Sequence, residues 1–238
     1  MTRLRRSVFF AALALALTAL FSEAFAACPP VTGNAGRVSV NDLNRALSRC
    51  VNENGAFSES QQVVACNALV RYGCTPSRGR ILSTEDREIL VWAYSVRASV
   101  LLNLGRTDSA LADMNDALEV SPNNPEILTN RCRIRAAANF DLDLALADCD
   151  AAVRVAPSYA NALDSRGLAH LRRQEFEAAR ADYDTAISQE PRMASALYGR
   201  AIALSRLGFS SESQRDIREA AAADQQIAGW FTAIGLTP

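Results

Sequence analysis

Apolar and polar positions along this chain of 238 residues fall into two regimes. Near the N-terminus Val8 to Phe21 form one apolar run, preceded by Arg3, Arg5 and Arg6. Farther on, short stretches rich in Ala and Leu alternate with polar turns, and the scarcity of β-branched runs predicts helices. Aligning the chain on an arginine followed by a small residue produces columns. Arg97-Ala98, Arg131-Cys132, Arg166-Gly167 and Arg200-Ala201 stand 34, 35 and 34 residues apart, with an earlier copy at Arg49-Cys50. Acids recur at Asp113, Asp148, Asp182 and Asp216, and small residues at Ala117, Ala152, Ala186 and Ala220. Pro122, Pro157 and Pro191 close three of the units, so the chain carries a tandem array.

Local signals place the helix ends. Ser83 with Asp86 three residues on predicts a cap for a helix running to about Leu104. Gly105 and Gly208 fall at turns, and Pro122-Asn123-Asn124-Pro125 separates two units because neither proline continues a helix. Ile227, Trp230, Phe231 and Ile234 recur at helical spacing and predict a final helix that covers the last hydrophobic face of the array.

A period of 34 with a helix-turn-helix pattern resembles the tetratricopeptide repeat (TPR) family. The best copy, residues 160–191, carries Leu163, Gly167, Phe176, Ala179, Tyr183, Ala186 and Pro191 in the family's places. His170 stands where the family usually has Tyr, and residues 125–159 hold one extra residue in the turn. The resemblance implies an all-α fold, a right-handed α-solenoid of stacked antiparallel helix pairs. With the N-terminal leader read from the apolar run, the expected division is a signal peptide (1–26), an N-terminal extension (27–37) and a divergent disulfide-bonded hairpin (38–76). A linker and helix start (77–90), repeats at 91–124, 125–159, 160–193 and 194–227, and a capping helix and tail (228–238) follow.

The positive start, the short apolar run and Ala24-Phe25-Ala26 read as a secretory leader cut after Ala26. The run is short for a membrane span, and no other stretch of the sequence could cross a bilayer. Lipidation of Cys28 is the alternative, but it would leave an odd number of cysteines. The expected location is the periplasm, with secretion or a lipid anchor at the envelope as alternatives. The chain holds 25 basic residues, all Arg, and 26 acidic ones. Without residues 1–26 the net charge becomes about −3, which implies no basic face of nucleic-acid type.

In an antiparallel pair, residues equidistant from the turn face each other. Ala98 and Met114, Gly167 and Tyr183, and Ala201 and Ile217 occupy such places. Cys50 and Cys66 fill the same two columns, and so do Cys132 and Cys149, so each pair is expected to close across its own hairpin in an oxidising compartment. Cys28 and Cys74 then pair by elimination. The sequence has no Cys-x-x-Cys and one His, which leaves zinc and thioredoxin-like redox chemistry without their ligands. No metal or cofactor is expected, and His170 reads as a structural residue.

The arginine and acid columns fall on facing helices. Pairs of Arg97 with Asp113, Arg131 with Asp148, Arg166 with Asp182 and Arg200 with Asp216 are expected within or between units, as structural ion pairs. Repetition argues against catalysis by these carboxylates, because an active site is made once and a scaffold contact in every unit. No phosphate loop, nucleophile elbow or dinucleotide fingerprint occurs.

The resemblance further implies a partner groove lined by the first helix of each unit. Carried over by position, the groove presents Trp92, Ser99 and Asn103, then Thr129, Asn130 and Arg133. Asn161, Asp164, Leu168 and Arg172 follow, and then Tyr198, Ile202 and Arg206. The family's clamp for a C-terminal carboxylate is incomplete: Asn130 matches, while Ser95, Ser99, Asn161 and Ser165 fill its other places. The expected function is a non-catalytic exported scaffold binding a peptide segment or helix of another envelope protein. The alternatives are a self-assembling envelope protein, with homo-oligomers, and an enzyme with a site around Arg78, Arg80, Glu85 and Asp86.

Overall fold

The computed structural model describes residues 58–73 and 84–238, and the chain divides into two compact units, residues 1–97 and 98–238. Ten helices and no strand occur among the described residues. The expected leader, the extension, the turn of the first hairpin, Ser83, Cys28, Cys50, Cys74, Arg78 and Arg80 lie outside them.

The first unit contains α1 (Glu59–Gly73) and most of α2 (Thr84–Asn103). A capping box starts α1: the Ser58 amide donates to Gln61 Oε1 at 2.9 Å, and the Gln61 amide donates to Ser58 Oγ at 3.4 Å. Ala65, Cys66 and Val70 of α1 and Leu90, Val91, Ala93 and Tyr94 of α2 are buried. Arg97 donates to Asn67 Oδ1 at 2.8 Å and lies over the Tyr94 ring, 5.5 Å from its centroid.

The second unit opens with the last turn of α2, followed by α3 (Thr107–Val120). Three helix pairs come next: α4 (Pro125–Ala137) with α5 (Leu142–Val155), α6 (Ala160–Arg172) with α7 (Phe176–Gln189), and α8 (Ala194–Arg206) with α9 (Ser210–Ala223). The first helices α4, α6 and α8 pack side by side, and each second helix packs against the next first helix, as α5 does on α6 and α7 on α8. Each contact is between neighbours, so the pairs form a solenoid. Small residues make the close approach possible: Ala110, Ala117, Ala145, Ala152, Ala179, Ala186 and Ala220 are all fully buried.

The turns repeat as well. The second residue past each first helix takes a left-handed conformation, at Gly105 (φ 71°), Asn139 (φ 52°), Gln174 (φ 62°) and Gly208 (φ 88°). This position ends a helix most cheaply with glycine, and asparagine tolerates it better than glutamine does. The turn between α4 and α5 carries one more residue than the next two, and Asp141 adds a second left-handed position there (φ 45°). Asn124 caps α4, accepting from the Glu126 amide at 2.9 Å and the Ile127 amide at 3.3 Å, with Pro125 as the first helical residue.

The last helix, α10 (Ile227–Ala233), buries its apolar side chains on the first-helix face: Phe231 packs on Tyr198 of α8 with ring centroids 5.0 Å apart, and Arg172 of α6 donates to the Ile234 carbonyl at 2.5 Å. Composition explains the seat. Helix α9 exposes Glu212, Arg215, Arg218 and Glu219, whereas α8 offers Tyr198 and Ile202 on its inner face, and apolar rings go where apolar surface can be buried.

Candidate functional site

Helices α4 and α6 each present one polar stripe to the first-helix face. Glu126, Thr129, Asn130 and Arg133 recur at helical spacing on α4, as Asn161, Asp164, Ser165 and Leu168 do on α6, and all eight line one cavity of about 550 Å³. Ser195 of α8 and Ile227, Trp230 and Phe231 of α10 complete its walls, so α10 is part of the site. Thr129 is buried and spends its hydroxyl on the Pro125 carbonyl at 2.7 Å.

The far wall comes from a second helix. Tyr183 starts on α7 and passes between Gly167 of α6 and Gly199 of α8: a Cβ on Gly167 would meet Tyr183 Cζ at 2.8 Å, and one on Gly199 would come closer still. The ring fills the space both glycines leave and ends at the cavity, where its buried hydroxyl has no hydrogen-bond partner among the described residues. Burial, then the charges of Asp164 and Asp182, raise the phenol above its ordinary range.

Two opposite charges open on the same space. Ser195 Oγ donates to Asp164 Oδ2 at 3.0 Å, and burial pushes the Asp164 carboxyl up to about 6, against the pull of that hydrogen bond and of the Arg133 charge. Burial likewise lowers Arg133, against the field of Asp164. Arg133 makes no hydrogen bond or ion pair among the described residues.

The other groove candidates divide. Asn103 and Arg172 line a second, wider cavity of about 900 Å³ on the first-helix face, and Gln226 and Trp230 line both cavities. Arg172 is committed to the fold: it donates to the carbonyls of Ala136 at 2.9 Å, Ala137 at 2.8 Å and Ile234, so it is a strut between α4 and α10 and not a free contact. Tyr198 and Ile202 are buried in the core that α10 completes and leave the open groove. Arg206 donates to the Thr237 carbonyl at 3.0 Å, which holds the tail. Trp92 and Ser99 are half-buried on α2, in the first and second units respectively.

The repeated charges build a ladder. Arg131, Arg166 and Arg200 each grip an aspartate of their own hairpin through Nε and Nη2: Asp148 at 2.8 and 2.6 Å, Asp182 at 2.9 and 2.7 Å, and Asp216 at 2.6 and 3.0 Å. The Nη1 of each reaches back to the preceding unit, to Asn115 at 2.8 Å, Asp150 at 2.9 Å and Asp184 at 2.8 Å. That second column, two residues past the acid column, has the same period along the chain. Hydrogen bonds to Asp182 and Asp216 raise Arg166 and Arg200 above the ordinary guanidinium range. Arg135 also pairs with Asp148. The remaining expected pair, Arg97 with Asp113, has one member in each unit.

Cys132 and Cys149 are bonded across their hairpin with Cα atoms 5.6 Å apart. Cys66 is buried and disulfide-bonded, while Cys50, its expected partner, lies outside the described residues, as do Cys28 and Cys74. His170 Nδ1 lies 2.7 Å from Glu175 Oε2 across the α6–α7 turn.

The family profile described as tetratricopeptide repeat matches residues 93–124. No curated protein matches the chain's sequence. Among solved structures, the chain is similar to MamA 41-end from Desulfovibrio magneticus RS-1, with a TM-score of 0.53 and 15% identity over 79% of this chain and 98% of that one. It is also similar to TTC0263, a thermophilic TPR protein in Thermus thermophilus, with a TM-score of 0.53 and 20% identity over 61% of this chain and 83% of that one. At such identities the likeness is one of fold. The chain thus carries one stretch matched in sequence to the tetratricopeptide repeat, at residues 93–124, and shares with these structures a fold of stacked helix pairs.

Proposed function

We propose that this protein is a non-catalytic, exported scaffold whose first-helix face holds a peptide segment or helix of another envelope protein. The TPR fold supports a protein–protein interaction role. The carrying observation is that Asn130, Arg133, Asn161, Asp164 and Leu168 converge on one cavity beside α10, a short helix that already seats an aromatic ring on this face. A face that accepts one short amphipathic helix has the chemistry to accept another. The repeated charges of Arg131, Arg166 and Arg200, by contrast, are engaged in holding helices together. Bonding Cys132 to Cys149 stiffens a hairpin that lines the cavity, so less order is lost on binding.

Cross-linking tests the reading. A photoreactive residue placed at exposed Asn161 in the exported protein should capture a defined envelope protein, and changing Asn130 and Arg133 together should suppress the adduct. Absence of any adduct, or an adduct indifferent to those changes, counts against it. Intact mass under non-reducing conditions checks export, through cleavage after Ala26 and the thiol count.

A further inference from the structure

The cavity beside α10 gathers polar groups that the fold leaves unsatisfied. Tyr183 is fully buried, yet its hydroxyl finds no partner among the described residues. Arg133 carries five N–H donors and makes no hydrogen bond or ion pair among those residues. Asp164 accepts one hydrogen bond, from Ser195, where a carboxylate has room for about four. The Tyr183 hydroxyl is wholly buried and unpaired, which costs stability, while Arg133 and Asp164 are half-buried at the cavity with spare hydrogen-bonding capacity.

Their signs and placement define what would satisfy them. Arg133 and Asp164 face one half-open cavity from neighbouring helices without forming an ion pair with each other. A simple anion would meet Glu126, Asp164 and Asp224 along the same lining, and a simple cation would leave the guanidinium bare. A molecule with both charges meets both needs. We propose that this cavity binds a small zwitterion, a free amino acid or short peptide, with its carboxylate on Arg133 and its ammonium on Asp164. The Tyr183 hydroxyl donates to the carboxylate or to a peptide carbonyl, and the rings of Tyr159, Trp230 and Phe231 flank the apolar part. A volume of about 550 Å³ falls within the range of small-molecule pockets. The burial that raises the Asp164 carboxyl to about 6 is relieved when an ammonium pairs with it. Since α10 supplies a wall, the ligand and the seated helix stabilise each other.

This site goes beyond the partner reading and is tested without any partner. Purified full-length protein lacking its leader is titrated calorimetrically with the free L-amino acids, with dialanine and trialanine, and with their N-acetylated and C-amidated forms. At least one free-ended probe is expected to saturate the protein and raise its melting temperature, and blocking either end should weaken it about ten-fold or more. Whether amino acids or peptides bind identifies the source. Arg133→Gln and Asp164→Asn should each weaken the same probe by at least about ten-fold while circular dichroism stays that of wild type, and Tyr183→Phe should weaken it by a smaller factor. Silence from every free-ended probe, equal binding of a blocked form, or binding unmoved by Asp164→Asn overturns the proposal. The Asp164 and Tyr183 variants remove unsatisfied polar character and should fold, which keeps the test decisive if Arg133→Gln does not.

Discussion

The ring of Tyr183 occupies the place where a side chain on Gly199 would stand, and a Cβ on Gly167 would meet the same ring at 2.8 Å. Two glycines on neighbouring first helices thus open the gap through which a second helix reaches the binding face. Gly199→Ala should force the ring aside and cost about 1–3 kcal/mol. Gly229→Ala, on the exposed side of α10 with nothing within 4 Å, should instead gain about 0.5–1 kcal/mol from helix propensity. Thermal melts of both variants check the contrast, and equal effects would show that Tyr183 yields without cost.

Burial raises the Asp164 carboxyl from an ordinary value near 3.8 to about 6, so the folded chain holds this proton more tightly than the unfolded chain. The contribution to stability is greatest below about pH 4 and is lost as pH rises through about 6. Asp164→Asn removes that dependence while keeping an acceptor for Ser195. It should stabilise the fold by on the order of 1–3 kcal/mol at pH 7.5, with the gap closing near pH 4. Urea melts at the two pH values measure it, and a variant less stable than wild type at pH 7.5 contradicts the assignment.

Arg200 holds Asp216, whose side chain is wholly buried, through two hydrogen bonds, and Arg215 adds only a longer contact at 3.7 Å. Arg200→Met leaves that carboxylate nearly alone and should cost about 3–5 kcal/mol. Arg173 pairs with Asp143, which is 90% exposed, so solvent screens the pair and Arg173→Met should leave the midpoint nearly unmoved. Denaturant midpoints of the two variants give the comparison directly.

Cys132 and Cys149 close a loop with a sequence separation of 17. Replacing both by Ser should cost about 3 kcal/mol. Reductant also opens the disulfide of Cys66, so wild type in reductant should melt at or below the variant's temperature, and a variant as stable as oxidised wild type would show that the hairpin holds without the bond.

Phe231 is buried at the contact of α10 with Tyr198. Phe231→Ala should cost about 3–5 kcal/mol and release α10 from the face, with faster amide exchange over 227–236 than in α7. Unchanged exchange in that segment would place the anchor elsewhere, at Arg172.

The repeat itself was legible because each unit meets only its neighbours. Arg166 lies against Asp182 and Cys132 against Cys149 for a local reason: residues equidistant from a tight turn face each other in any antiparallel pair. The second column at Asn115, Asp150 and Asp184 joins adjacent units, so the geometry of a single hairpin does not point to it, although its period matches. Arg133 and Asp164 were legible as groove residues by position, but not as an unpaired couple, which depends on side-chain directions across two helices. Arg172, Tyr198 and Ile202 read as groove for the same positional reason and were then claimed by α10.

The sequence by itself determined the period, the helix pairs, the turns and the pairing of Arg131, Arg166 and Arg200 with the acids of their own hairpins, all set within a unit. Only the tertiary structure decided where α10 rests and hence which first-helix residues remain open. The seat joins Arg172 to Ile234, 62 residues away, and follows from a competition between distant faces for apolar burial that no periodic pattern records.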